Sequence, residues 1–553
     1  MTEPTARPEV RAGAAVLPIL AGGQFLMTLD SSVMNVSIRQ VAADLGTTVT
    51  GIQTAITLYT LVMASLMLTG GKIGARIGRR RAFAIGLVIY GTGSGITALA
   101  PNLGVLLFGW SFLEGVGAAL ILPAIVALVA SNFPRDRRSA AYGLIAAASA
   151  IAVAAGPLIG GAVTTFWSWR WVFAGEVVVV IVLLFFLRRV QDAPVSKEQP
   201  RFDFFGAVLS ITGLSLFVFG VLKSGTWGWV QPKPGGPTIL GVSPVVWLVT
   251  GGLLIVYCFF LWEAFQERRG REPLVRPGML RNRQLDGGLS MFFFQFLIQA
   301  GVFFTIPLFL SVVLELSAVQ TGARLLPLSL ALLLSALLIP RFAPGARPRL
   351  VVRLGLLSMI AGTLVLIGGI DPGANAGIVT VPLLLMGLGM GALASQLGAV
   401  TVSALPDDQS AEVGGLQNTV TNLGASIGTA LVGAVLIASL TAGLSHGIQS
   451  NSAIPPEVKT QSTTYLASGV PFVSDSDLQK QLAAAGVPQS TADEIVAENS
   501  KARLAALRDA LWVVAVLAVV SLFLTGLLPT EPVGRRKEDE GGPREPLEPV
   551  STG

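Results

Sequence analysis

The chain has 553 residues, of which 52% are hydrophobic and only 13% are charged. A soluble protein of this length carries roughly 25% charged residues, so the composition excludes an ordinary soluble domain. The single cysteine, Cys258, excludes internal disulfides and a Cys-based metal site, and the single histidine, His446, is expected to be a solvated loop residue.

Apolar stretches of ~20 residues are long enough to cross a bilayer as helices, and about fourteen of them follow one another along the chain. Their approximate limits are 14–36, 51–71, 82–101, 104–130, 139–164, 169–188, 203–223, 241–262, 287–311, 318–340, 351–370, 376–404, 414–443 and 509–529. The sequence therefore predicts an all-α polytopic membrane protein.

Lys and Arg are concentrated after every second span, at 72–81, 135–138, 188–201, 268–283 and 341–353. The positive-inside rule places these loops, and with them both termini, in the cytoplasm of a protein of the cell membrane. The same bias explains the net charge of +6, so we expect no nucleic-acid partner.

An internal repeat relates spans four and five to spans twelve and thirteen at a constant offset of 272 residues. Its members are Gly115, Gly117, Gly143, Leu144, Gly156 and Gly161, which recur as Gly387, Gly389, Gly415, Leu416, Gly428 and Gly433. Parallel halves with a substrate site between them are a transporter architecture; the alternative is chance alignment in Gly/Ala-rich sequence. We expect two six-helix halves plus two inserted helices.

The resulting organisation has six parts. They are a cytoplasmic tail (1–13), an N-terminal half (14–188), a linker with two inserted helices (189–262), a C-terminal half (263–443 and 509–529), an extracytoplasmic loop (444–508) and a disordered cytoplasmic tail (530–553). Within the loop, 474–488 has helix start and stop residues. A capping box from Thr491 to Glu494 predicts that a second helix starts there and runs into the last span.

The loop after span two reads "GGKIGARIGRRRAF" (70–83). It is not a phosphate-binding P-loop, because Ile73 replaces the required Ser or Thr, and we expect no ATP. Gly71, Arg76, Gly78, Arg79 and Arg80 match the loop signature of the major facilitator superfamily, which this chain resembles. Ala75 departs from it, since the family usually has Asp there in an inter-helix charge latch.

In span five, "AAGPLIGGAV" resembles the antiporter motif of that superfamily at Gly156, Pro157, Gly160 and Gly161. Pro157 removes a backbone hydrogen bond, and the glycines allow close helix approach. The alternative is helix packing without a functional role.

"FLMTLDSSVMNVSIRQVAADL" (25–45) resembles the first-span motif of the fourteen-span drug/proton antiporter branch. The stretches 167–173, 202–210, 279–285 and 404–424 resemble the same branch, which contains multidrug and quaternary-ammonium exporters. The resemblance implies a major facilitator fold, alternating access, proton exchange, multidrug efflux and antibiotic resistance.

Three carboxylates in the apolar spans are candidates for proton coupling: Asp30, Glu114 and Glu176. An ionisable residue in a span by default marks a functional path, and Asp30 stands at the branch's motif position. In the fourth span the branch usually has Arg and Gln where this chain has Ser111 and Glu114. Glu114 can alternatively be a packing residue, and Glu176 can simply pair with Arg170.

We therefore expect a monomeric secondary transporter that exports a hydrophobic or amphipathic small molecule in exchange for protons, with no cofactor and no metal. Candidate polar residues of its substrate cavity are Asn35, Gln295, Gln299, Gln396 and Asn418. Alternatives within the fold are a lipid exporter or an uptake carrier. A membrane-embedded enzyme is disfavoured because it would need a nucleophile–base or metal constellation.

Overall fold

The computed structural model describes residues 8–133, 135–192, 202–233, 236–343, 345–370, 375–405, 410–460 and 472–532. The first helices are α1 (Pro8–Asp44), α2 (Val49–Ile77), α3 (Arg79–Ala98), α4 (Leu103–Leu106), α5 (Gly115–Asn132), α6 (Arg135–Phe166) and α7 (Arg170–Phe186). A π-helical segment, Leu107–Glu114, joins α4 and α5 into one span. Two further helices follow, α8 (Phe204–Trp227) and α9 (Pro244–Arg268).

The remaining helices are α10 (Arg283–Leu308), α11 (Ala318–Phe342), α12 (Pro348–Gly369), α13 (Thr380–Val402), α14 (Ser410–Ser450), α15 (Asp475–Ala484) and α16 (Gln489–Leu524). Within the described residues, thirteen helical stretches are long and apolar enough to cross a membrane. Helix α3 is a fourteenth of membrane length, with 20 residues, and the Gly, Ser and Thr of its second half make it less apolar. The predicted all-α fold with about fourteen spans is confirmed.

The internal repeat appears as equivalent packing in the two halves. A Cβ added at Gly117 of α5 would lie 2.8 Å from the carbonyl oxygen of Gly86 in α3. A Cβ added at the repeat partner, Gly389 of α13, would lie closer still to the carbonyl oxygen of Gly355 in α12. Glycine is therefore required in each half where span four, or its counterpart, meets the backbone of the preceding span.

Two seams join the halves. The repeat-related glycines Gly161 and Gly433 lie at different seams, and each packs against a helix of the opposite half. Gly161 of α6 packs on α11, where an added Cβ would lie 2.5 Å from the carbonyl oxygen of Ala318. Its repeat partner, Gly433 of α14, packs against Gln53 of α2. Gln53 also donates a hydrogen bond of 3.1 Å to the carbonyl oxygen of Thr429. Each half thus contributes one helix to each seam.

The inserted helices α8 and α9 pair with each other, and α8 contacts both α2 and α14. A Cβ added at Gly225 of α8 would lie 2.7 Å from the backbone of Ala434 in α14. Asp203 caps α8 by accepting from the amide of Gly206 at 2.8 Å, and it also accepts from the Trp262 indole of α9 at 2.9 Å. The inserted pair is therefore seated beside the α2–α14 seam.

Successive spans run in opposite directions, so the molecule has two ends. We call the end with the turn around Gly78 the arginine-rich end, and the opposite end, which holds α15, the far end. Ser474 caps α15 by accepting from the amide of Asp477. The predicted capping box at Thr491 is wrong, because α16 begins at Gln489, directly after Pro488, and Thr491 is buried in its first turn. The helix continues to Leu524, so the prediction that it runs into the last span is confirmed.

Candidate functional site

The three candidate carboxylates come from spans one, four and six and meet inside the first half. One oxygen each of Asp30, Glu114 and Glu176 lies within 4.8 Å of the others. All three side chains are buried, with exposed fractions of 0%, 0% and 2%. We call this group the carboxylate cluster. Its geometry suits the sharing of protons, or one cation, between the three groups.

Asp30 is held by a tryptophan that sequence reasoning did not single out. The Trp110 indole N–H lies 2.9 Å from Oδ1 and 2.9 Å from Oδ2 of Asp30. The Trp110 ring stacks on Tyr59 of α2, with the centroids 5.1 Å apart and the planes 9° from parallel. Trp110 and Glu114 both belong to the π-helical segment, a distortion that often occurs at functional sites.

Glu176 belongs to the cluster and does not pair with Arg170. Its Oε2 accepts a hydrogen bond of 3.0 Å from the Ser94 hydroxyl of α3. Arg170 instead forms an ion pair with Asp44 and donates at 2.7 Å to the carbonyl oxygen of Ala100. The alternative of a Glu176–Arg170 pair is therefore wrong, because both guanidinium contacts lie at the far end.

Glu114 is the least satisfied member of the cluster. Neither of its oxygens has a well-formed hydrogen bond, and the buried hydroxyls of Tyr59 and Tyr90 have none either. Ser111, at the position where the branch usually has Arg, donates at 2.8 Å to the carbonyl oxygen of Ala55. Ser111 therefore donates to the backbone and not to the cluster, and a proton or a cation would satisfy Glu114.

In the loop motif at the arginine-rich end, Gly78 has a φ of +100°, which favours glycine. A Cβ there would also lie 2.6 Å from Oδ2 of Asp192. The same carboxylate accepts from the amide of Arg80 at 3.2 Å, and the Arg80 side chain donates to Val190 at 3.1 Å. Asp192 thus supplies an acidic group beside a motif that has Ala75 in place of Asp.

The other residues of this loop motif stay at the same end. The Arg79 guanidinium donates at 3.3 Å to the carbonyl oxygen of Gly71. Gly71 faces Pro123 of α5, at 3.5 Å from an added Cβ, and Arg76 lies in the last turn of α2. The motif therefore joins α2, α3 and α5 some distance along the helices from the carboxylate cluster.

The antiporter motif lies between the helix of Asp30 and the second half. Gly156 packs on Ser32 of α1, and a Cβ added at Gly160 would lie 2.7 Å from Val33. On the other face of α6, the carbonyl oxygen of Pro157 fits directly against Gly322 of α11. A movement at the α6–α11 seam therefore reaches α1 through backbone-to-backbone contacts.

The predicted cavity residues are distributed over both halves. Asn35 donates at 2.9 Å to the carbonyl oxygen of Ser31 within α1, and buried Gln295 donates at 3.4 Å to Met390 of α13. Gln299, Gln396 and Asn418 are half-buried.

A polar contact that the sequence analysis missed joins α1 to α6. The hydroxyls of Thr28 and Ser149 lie 2.8 Å apart, and the Gln24 amide lies 3.4 Å from Ser149. The only sequence signal for this contact is that Thr28 precedes Asp30 by two residues. The contact places half-buried polar groups on the helix that carries Asp30.

Two six-helix halves, two inserted helices and a carboxylate cluster within a span bundle define a polytopic membrane transporter. The sequence profile described as Major Facilitator Superfamily matches residues 20–429. The chain belongs to the major facilitator superfamily. Its spans and its bacterial relatives make it an integral protein of the cell membrane.

Several relatives carry names of resistance or export. The puromycin resistance protein of Streptomyces alboniger is 30% identical over 80% of this chain and 85% of its own length. The tetracenomycin C resistance and export protein of Streptomyces glaucescens is 29% identical, over 76% and 75% of the two chains. A probable actinorhodin transporter of Streptomyces coelicolor is 27% identical, over 95% and 93%.

Solved structures share the fold at low sequence identity. A bacterial homolog of the human lysosomal transporter Spinster, inward-facing and unoccupied, has a TM-score of 0.58 and 14% identity, covering 95% of this chain and 98% of its own. A D-xylose–proton symporter has a TM-score of 0.55 and 12% identity, covering 93% and 98%. These similarities establish the fold alone.

Proposed function

We propose that the protein exports hydrophobic or amphipathic drug-like molecules in exchange for protons, and that Asp30, Glu114 and Glu176 carry the protons. The observation that supports this most is the carboxylate cluster, in which three buried acids lie within 4.8 Å of one another. Family membership supports transport by alternating access.

The cluster requires protons for an electrostatic reason. Like charges at this separation repel each other strongly where water is excluded, and a charge in the bilayer interior is already costly. The hydrogen bonds from Trp110 to Asp30 and from Ser94 to Glu176 stabilise part of the negative charge. Glu114 lacks such bonds, so it holds a proton until the site opens to water.

Proton release and substrate binding are coupled through α1 and α6. Asp30 lies on α1, and the glycines of the antiporter motif pack against α1 at Ser32 and Val33. The opposite face of α6 forms the seam with α11. Separation of the halves along this seam therefore shifts α1 and changes the access of water to the cluster.

The substrate class follows from the relatives, whose names concern puromycin, tetracenomycin C and actinorhodin. We assign substrate contacts to the half-buried polar groups Asn35, Gln299, Gln396 and Asn418, and to Gln295. An amphipathic molecule needs a mostly apolar cavity with few polar groups of this kind. The protein works as a monomer, without ATP.

The arginine-rich end faces the cytoplasm, because Lys and Arg are retained on that side during insertion. Reporter fusions within 75–80 and at the C-terminus will report the cytoplasm, and a tag within 450–460 will be accessible from outside intact cells. A tag within 450–460 that is accessible only after permeabilisation would contradict this orientation.

Transport is tested in proteoliposomes that hold the full-length protein, with puromycin and ethidium as separate probes. An imposed proton gradient should drive uphill movement of at least one probe, and Asp30→Asn should remove this driving force while leaving exchange down a gradient. The control is Asp493→Asn, which changes an exposed carboxylate of α16. Probe movement that is independent of the proton gradient in the wild type would refute proton coupling.

A further inference from the structure

Trp110 is not itself a proposed proton site, but it contacts one of these sites, Asp30, and also the ring of Tyr59. It is among the largest fully buried side chains, with 1% of its surface exposed. Its N–H is shared between the two oxygens of Asp30, at 2.9 Å from each. An N–H donor at an ionised carboxylate favours the charged form over the protonated one.

The orientation of the Trp110 ring is fixed independently of Asp30. Stacking on Tyr59, 9° from parallel, fixes the plane of the indole, so its N–H points at a defined place. The stack joins the π-helical segment to α2, and the hydrogen bonds join it to α1. Trp110 thus has the support that a residue needs in order to set another group's position.

The neighbouring position explains why an uncharged donor matters here. Ser111 stands where the branch usually has a fixed cation, and its hydroxyl donates a hydrogen bond to the carbonyl oxygen of Ala55. The titratable groups of the described chain that face Asp30 are Glu114 from the π-helical segment, Glu176 from α7, Tyr59 from α2 and Tyr90 from α3. None of these four is basic.

We propose that Trp110 is a positioning residue for the coupled proton: its neutral N–H holds Asp30 in place of a fixed positive charge and sets the pH at which Asp30 is protonated. This inference rests on the proposed function of the cluster. A consequence is that the site is neutral when all three carboxylates are protonated and negative otherwise, since none of these groups is a permanent cation.

The decisive variant is Trp110→Phe, which keeps an aromatic face for Tyr59 and removes the N–H. Loss of a hydrogen bond to a charged group should move the protonation midpoint of Asp30 upward by about one to two pH units. A second variant carries at position 110 a tryptophan analogue with sulfur in place of the indole N–H, so that volume and stacking are retained. Trp512→Phe, an exposed tryptophan of α16, is the matched control.

The readout is the carboxyl C=O stretching band of the purified protein, titrated by infrared difference spectroscopy without any substrate. The step that disappears in Asp30→Asn belongs to Asp30, and it should move to higher pH in both Trp110 variants but not in Trp512→Phe. The pH profile of gradient-driven ethidium or puromycin export should move in the same direction.

An Asp30 titration step that stays at the same pH in the sulfur analogue would overturn the role of Trp110, even if transport declined. If the step moves while wild-type transport is independent of the proton gradient, the proposed function fails and the assignment of Trp110 to Asp30 stands. The two failures are therefore distinguishable.

Discussion

Arg39 at the end of α1 forms an ion pair with Asp477 of α15, with Nη2 and Oδ2 3.1 Å apart. The same guanidinium donates at 2.9 Å to the carbonyl oxygen of Ser311, three residues beyond the end of α10. At the far end, one side chain of the first half is thus joined both to the second half and to the short helix between α14 and α16.

The other side of α15 is attached more firmly. Arg503 of α16 is fully buried, lies 2.5 Å from Asp475 and donates at 2.6 Å to the carbonyl oxygen of Val473. The Arg39 and Asp477 side chains are 26% and 41% exposed. Exposed pairs contribute little to stability. Asp475 is 39% exposed, but its partner Arg503 is fully buried, and leaving a buried charge without its partner is costly. When the far end opens, we expect α15 to stay on α16 and to separate from Arg39.

Cross-linking α15 to α1 should therefore stop transport. In a Cys258→Ser background, Arg39→Cys with Asp477→Cys is joined by a short bifunctional thiol reagent with a reducible bridge, and reduction should restore export. The control pair is Gln479→Cys with Asp493→Cys, whose native side chains lie 3.3 Å apart and link α15 only to α16. Undiminished export by the cross-linked Arg39/Asp477 pair would show that the far end opens without this separation.

The Arg39–Asp477 pair should persist throughout the working pH range. Partial burial acts to raise the pKa of Asp477, but hydrogen bonds from Ser474 and Arg39 hold that pKa below its ordinary value of 3.8. Because the pKa is depressed, the contribution to stability is present above the unfolded value and is lost as pH falls through the folded one. A double-mutant cycle on unfolding should give the same coupling, at most ~1 kcal/mol, at about pH 8 and pH 5, and should lose it only as the pH falls through the lowered pKa of Asp477. A coupling that disappears between pH 8 and pH 5 would contradict this assignment.

Glu114→Gln should separate proton coupling from packing. The amide has the same shape, so folding and probe binding should remain, but one exchangeable proton is lost from the cluster. We expect gradient-driven export to lose its pH dependence near neutrality, with fewer protons moved per molecule in a flux measurement. An unchanged profile and stoichiometry would make Glu114 a packing residue and leave Asp30 and Glu176 to carry the protons.

Gly322→Ala tests the α6–α11 seam. The added methyl group would collide with the carbonyl oxygen of Pro157, a backbone atom that cannot move alone, so the two helices must separate. We expect a destabilisation of about 1–3 kcal/mol and a clear loss of export. Gly143→Ala is the control, since a Cβ at Gly143 meets nothing within 4 Å. Equal thermal stability of the two variants would show that the seam tolerates a side chain.

The sequence predicted those parts of the site that depend on one helix at a time. Asp30 and Glu114 stand out as single carboxylates within apolar spans, and Gly161 lies in a recognisable motif. The meeting of Glu114 and Glu176 with Asp30 depends on the rotation of three helices, which a single sequence does not determine. The role of Trp110 was missed because it reads as one more apolar residue of its span, and because a π-helical turn alters which side chains share a face.

The position of α8 has a consequence for molecules dissolved in the bilayer. Because α8 contacts α2 and α14 together and exposes bulky apolar groups such as Phe205 and Phe219, it shields that junction from the surrounding acyl chains. A lipophilic compound diffusing sideways within the leaflet meets this shield before it meets the boundary between the halves. We therefore expect lateral access at this side of the molecule to depend on the inserted helices α8 and α9.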